Sequence, residues 1–104
     1  MSAKKEVFLE QMKKKFDDLN HRWNIERNKL EAKAQHESTD VMKKFEEKRE
    51  ALQQFRTAMK QKIADLDVAS ENAWDDVKDG AEDAWKALTK AFEKATSHFK
   101  KDGT

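Results

Sequence analysis

An all-α protein, folded as a long helical hairpin of coiled-coil type, is what this sequence predicts, and three observations carry the prediction. Ala, Glu, Lys, Leu and Arg supply 52 of the 104 residues, the composition of a coiled coil or long helix. Pro is absent and there are only two Gly, so the strongest helix breakers are almost missing. Apolar residues recur at steps of three and four over most of the chain. The large apolar types (Val, Ile, Leu, Met, Phe, Trp) number only 25, thin for a globular core but enough for helices that each bury one stripe. The formal charge of +1 and the periodic aromatics set the chain apart from disordered sequences, which also combine low hydrophobicity with many charges.

The first expected element is a helix over about residues 3–66. Its stripe begins with Leu9, Met12, Phe16, Leu19, Trp23 and Leu30, a heptad pattern interrupted once at Glu26. It continues through Ala34, Val41, Phe45, Leu52, Phe55, Met59, Ile63 and Leu66, where steps of eleven (Leu30, Val41, Leu52, Ile63) fit better than steps of seven. Ser38, Thr39 and Asp40 offer a rival boundary. The period continues through them and Asp40 to Lys44 is a favourable i,i+4 pair, so the segment reads as helical.

A turn is expected near residues 67–70, followed by a helix over about 71–101, and residues 1–104 together read as one coiled-coil domain. Arg56, Lys60 and Lys62 crowd the end of the first segment, Ser70 can cap the second, and Glu71, Asp75 and Asp76 open it, as helix dipoles favour. Lys100 and Lys101 before Asp102 and Gly103 form a plausible C-terminal end. Within the second helix an eleven-residue repeat aligns Ala73-Trp74, Ala84-Trp85 and Ala95-Thr96, and places Val77, Leu88 and Phe99 in one column beside Trp74, Trp85 and Phe92. Gly80 sits near the edge of that apolar arc. A fold-back about residue 68 sets residue i opposite about 136 minus i, bringing Lys60 to Asp76, Arg56 to Asp79, Glu50 to Lys86 and Glu46 to Lys90. Residues 9–30 then lack an intrachain partner, which predicts a homo-oligomer, a dimer first of all, with this stripe buried between chains.

Chemistry finds little to work with. There is no Cys, and His21, His36 and His98 have no second His at helical spacing; His36 with Asp40 is the nearest approach to a ligand pair and falls short of a metal site. Asp17-Asp18, Glu46-Glu47 and Asp75-Asp76 lie on charged helix faces without the dry cleft that acid–base catalysis needs. No phosphate-cradling Gly loop or nucleophile elbow is present. The expectation is a non-enzymatic protein with no catalytic residue, metal or other cofactor. Lys13-Lys14-Lys15 is diluted at once by Asp17 and Asp18, so nucleic acid is not an expected partner. The longest apolar run, Val7-Phe8-Leu9, cannot span a bilayer, and a cytoplasmic location is expected. One feature supports an alternative. The aromatic face Trp74, Trp85, Phe92 and Phe99, with Lys86, Lys90 and Lys94 across the helix, could lie weakly on a membrane surface or bind lipid. Packing of these rings against the small side chains of Ala73, Ala84, Ala91 and Ala95 is the competing and favoured reading.

The segment from Ala73 to Trp85, AWDDVKDGAEDAW, with Ala91-Phe92-Glu93-Lys94-Ala95 after it, resembles the C-terminal signature of small bacterial coiled-coil proteins labelled as stress-response proteins. That resemblance implies a non-enzymatic structural or interaction role and supplies no catalytic residue. The eleven-residue period is also similar to that of exchangeable apolipoproteins and late-embryogenesis-abundant proteins, although the large aromatics depart from the aromatic-poor pattern of the latter.

Overall fold

The computed structural model describes residues 3–97, and in it the chain forms three helices: α1 (Ala3–Ala34), α2 (Thr39–Val68) and α3 (Trp74–Ser97). No strand occurs among the described residues, so the fold is all-α. Phe99, Lys100, Lys101, Asp102 and Gly103, assigned from sequence to the end of the last helix and its cap, lie outside the described residues, as does His98.

The segment read as one helix of about 60 residues is two helices, broken at residues 35–38. The His36 and Glu37 amides bond back to the Lys33 and Ala34 carbonyls, both at 3.1 Å, closing the last turn of α1 in i to i−3 fashion. Ser38 then takes an extended conformation (φ −64°, ψ 160°), and its Oγ accepts the Val41 amide at 3.3 Å. This is an N-cap, and Asp40 in the first turn of α2 complements the positive end of the helix dipole. Short polar side chains that bond their own backbone favour such a break over continued helix, which is why Ser38 overrides the Asp40 to Lys44 pairing.

The expected turn near 67–70 is present and runs from Ala69 to Ala73. Ala69 is extended, with its amide on the Leu66 carbonyl at 3.4 Å, and Ser70 Oγ accepts the Ala73 amide at 3.3 Å. No basic residue occupies the last turn of α2. Its C-terminal end is held instead from α1, where Lys5 Nζ donates to the Ala69 carbonyl at 2.6 Å and lies 5.2 Å from the centre of the Trp74 ring.

The three helices run up, down and up in a bundle with extents of 53 × 19 × 18 Å. That length matches α1 alone, 32 residues at about 1.5 Å each. Met12, Leu19, Trp23 and Leu30 on α1, Phe45, Leu52, Met59 and Leu66 on α2, and Ala81, Leu88, Phe92 and Ala95 on α3 form one buried cluster. Leu52, Met59, Leu66 and Leu88 are sealed completely, each contributing about 1.5–3 kcal/mol by burial. The stripe at residues 9–30 therefore has an intrachain partner: Trp23 and Leu30 are 2% and 4% exposed within a single chain. The premise that called for a second subunit is removed by the break at Ser38, which swings α2 and α3 back over α1.

The α2–α3 hairpin is symmetric about residue 71, the midpoint of Val68 and Trp74, so residue i faces about 142 minus i instead of 136 minus i. Gly80 and Lys62 obey the new register: a Cβ on Gly80 would lie 3.6 Å from Lys62 Nζ. The four cross-helix ion pairs expected from the older register are not among the ion pairs of the described residues. Arg56 turns instead toward α1.

Candidate functional site

Three helices side by side leave three longitudinal grooves, and the charges of this chain are divided unequally among them. Between α1 and α2, Arg27, Arg49 and Arg56 stand beside Glu31, Glu46 and Glu50 over the edge of Trp23. Arg49 Nη1 donates to Glu31 Oε1 at 3.1 Å. Arg56 Nε donates to Asn20 Oδ1 at 2.7 Å and its Nη1 to Gln53 Oε1 at 2.9 Å. Burial, and secondarily the charge of Arg27, lower the proton affinity of the Arg56 guanidinium. It still stays charged at any ordinary pH. This groove balances three positive against three negative side chains and acts as a clasp between the helices.

Between α1 and α3 the fillers are aromatic. Phe8 meets Trp74 edge-on, centroids 5.9 Å apart at 89°, and Trp23 meets Phe92 at 6.2 Å and 71°. The paired positions advance together along both helices, which therefore run parallel. Arg22 covers the Phe92 ring at 5.1 Å and Lys78 the Phe8 ring at 5.3 Å, contacts worth about 0.5–1 kcal/mol each when partly exposed. Lys15 and Arg22 are offset there by Asp18 and Glu93. Rings of this size hold α1 away from α3, whereas the backbones of α2 and α3 approach closely.

Between α2 and α3 the lining is of another kind. The walls are Ala51 and Phe55 from α2 and Ala87 and Ala91 from α3, around a cavity of about 250 Å³. The rim is Lys48, Lys90 and Lys94, and among the described residues no acidic side chain lines it. The register explains the composition, since Lys48 faces Lys94, Ala51 faces Ala91 and Phe55 faces Ala87 at the 142 sum. Alanines leave the space that larger residues would fill. Phe55, placed by its period in the apolar stripe, is 39% exposed because it points into this open slot and not into the core.

The other stripe residues are brought together as follows. Leu9, Phe16, Val41, Ile63, Trp74, Val77 and Trp85 are half-buried against the core cluster. Met12, Leu19, Trp23, Leu30, Phe45, Leu52, Met59, Leu66, Leu88 and Phe92 are buried within it. His21 and His36 are exposed, His36 and Asp40 fall on either side of the Ser38 cap, and no group of three metal-ligating side chains occurs among the described residues. Lys14 and Lys15 are exposed, and Lys13 makes a marginal i,i+3 pair with Glu10 at 3.9 Å. Among the described residues no helix is long and apolar enough to cross a membrane. The lysine-rimmed groove escaped sequence reasoning because only the register brings its two halves together; the signal was there in Ala87-x-x-Lys90-Ala91-x-x-Lys94, small and basic residues on one face. Comparison of the chain with protein-family models, with curated proteins and with solved structures found no match.

Proposed function

We propose that this chain is a non-enzymatic helical interaction module that keeps its aromatic face inside and works through its outer grooves, in the structural or stress-response role that the AWDDVKDGAEDAW segment suggests. The observation that carries the reading is the packing of Trp74 and Phe92 against Phe8 and Trp23. An amphipathic helix whose rings already face a neighbouring helix must give up that burial before it can lie on a bilayer, about 1.5–3 kcal/mol for each large side chain. Any membrane binding through this face is accordingly weak. Self-association, expected when residues 9–30 lacked a cover, no longer follows from an uncovered stripe, and we read the functional unit as a single folded chain.

Tryptophan emission of the native protein, with and without anionic vesicles, tests the proposal. Blue-shifted emission that vesicles leave unchanged is expected. Emission characteristic of water-exposed indole, moving to the blue on vesicle addition, would replace this reading with that of an amphipathic lipid-surface protein.

A further inference from the structure

We propose that two copies of this chain exchange α1: α1 and α2 straighten into one continuous helix through residues 35–38, and α1 docks on the α2–α3 pair of the other copy. The surface that receives it is the one α1 already covers, so the inference rests on the closed bundle proposed above as the resting monomer. Three observations lead to it. At about 100° per residue, the buried Trp23, Leu30, Ala34, Phe45, Leu52 and Met59 fall within an arc of about 60° on a single straight helix. Straightening the break therefore turns no core residue toward water. α1 and α2 also pair through Glu31 with Arg49 and Asn20 with Arg56, and the midpoints of these pairs, residues 40 and 38, lie at the break. Two continuous helices crossing antiparallel about a two-fold axis there keep the α1–α2 register of the monomer, now between chains. Finally, residues 35–38 contain no Gly or Pro, so their backbone is free to become helical. The break is bridged by the turn bonds of His36 and Glu37 and the Ser38 cap, where a continuous helix would pair the last carbonyls of α1 with the first amides of α2.

α1 is the helix to exchange because aromatic rings hold it away from α3, whereas α2 and α3 pack backbone to backbone. Its tethers, the Lys5 bond to the Ala69 carbonyl and the Phe8–Trp74 and Trp23–Phe92 ring pairs, re-form between the two chains. Burial is then nearly equal in both states and cancels. What remains is the Ser38 cap, which favours the bend, against the uninterrupted helix and a new contact at the two-fold axis between the two Val41 side chains, each half-buried in the monomer. A hinge this short holds α1 near its own α2–α3 pair at an effective concentration of about the millimolar order, so the monomer dominates in dilute solution. The exchanged dimer is a rod of about 100 Å, the length of residues 3–68 as one helix. It is nearly twice the 53 Å of the monomer and presents each outer groove twice.

The experiment is sedimentation equilibrium of the full chain from about 10 μM to about 2 mM, bracketing the effective concentration of the hinge, on the wild type, Ser38→Ala and Thr39→Pro. The wild type should be monomeric when dilute and partly dimeric at the upper end. Ser38→Ala should raise the dimerisation constant roughly 25-fold, since two monomers each lose a cap worth about a fivefold bias toward the bend. Thr39→Pro should abolish the dimer and leave the monomer folded. Residue 39 is the first of α2, where Pro fits after the extended Ser38, whereas in a continuous helix its ring clashes with the carbonyl four residues back. A short bifunctional thiol reagent on Glu31→Cys with Arg49→Cys separates exchange from side-by-side association: it should join the two chains of the isolated dimer and link the monomer within itself. Links confined to single chains in the dimer, a Thr39→Pro dimer as abundant as the wild type's, or a Ser38→Ala variant no more dimeric than the wild type would each overturn the proposal. Tryptophan emission is blue-shifted in both states, because the Trp23 and Trp74 contacts re-form. Failure of exchange thus leaves the closed bundle standing, while failure of the closed bundle shows as water-exposed indole in the dilute monomer.

Discussion

Replacing Gly80 by Ala should stabilise the protein, and the structure fixes both the sign and the size of the effect. Gly80 is the seventh residue of α3, inside regular helix, with a negative φ that any L-residue adopts. Glycine there sacrifices about 1 kcal/mol relative to alanine, because it has more backbone freedom to lose on folding. What the new methyl meets decides whether that gain survives. The nearest atoms are Lys62 Nζ at 3.6 Å and Lys62 Cε at 3.9 Å, ordinary van der Waals distances to the far end of a flexible side chain. No compensating strain arises. For a two-state domain of 104 residues, with an unfolding entropy of about 2.1 cal/mol/K per residue, a gain of about 1 kcal/mol raises the melting temperature by about 4–5 °C. Thermal unfolding followed at 222 nm, with a denaturant titration to check that the m-value is unchanged, measures it. A melting temperature that stays level or falls would mean that α2 and α3 approach more closely at Gly80 than described, and the register built on the Gly80 and Lys62 contact would fall with it.

Four further outcomes follow from the same packing. Leu52→Ala, at a side chain with no exposure, should cost about 2–5 kcal/mol in a denaturant titration; a loss below 1 kcal/mol would show a loosely packed centre. Ser38→Ala should cost about 0.5–2 kcal/mol and fray the start of α2 in hydrogen exchange, whereas unchanged stability would mean that the Ser38 cap does not terminate the helix. Leu30→Asp should lower the melting point equally at low and high protein concentration, because Leu30 is covered by its own chain; sedimentation equilibrium showing a native dimer that the variant splits into folded monomers would restore the oligomer reading. Cysteines at Ala51 and Ala91 should be joined within one chain by a thiol linker spanning a single interhelical gap, and cysteines at Glu50 and Lys86 poorly; the reverse preference would return the hairpin to the older register.

The helical class was legible because period and composition agree: every large apolar residue of the stripe within the described residues except Phe55 is buried or half-buried in the structure. The turn after Val68 was legible because charge reverses there, with Asp75 and Asp76 opening α3. The break at Ser38 was not, for a physical reason. Hydrophobic periodicity records which face of a helix looks inward and says nothing of the direction in which the helix runs. Leu30 and Val41 keep their eleven-residue spacing across the reversal since both still face the bundle centre, so a continuous stripe masked a change of direction. The local signal, a Ser-Thr-Asp run, was visible but was weighed against a salt bridge worth only tenths of a kcal/mol, while an N-cap is worth about 1 kcal/mol.

The register error has the same origin and leads to the groove. Exposed charge pairs contribute little, so many alignments of α2 on α3 look electrostatically acceptable. The alignment the chain adopts is set by burial of Leu52, Met59, Leu66 and Leu88 and by the reach of the five residues 69–73, and it lies six residues, about 9 Å along the helix, from the one that opposite charges suggest. Core packing thus overrides surface electrostatics, and one consequence is a run of like charges at Lys48, Lys90 and Lys94 over a gap walled by alanine.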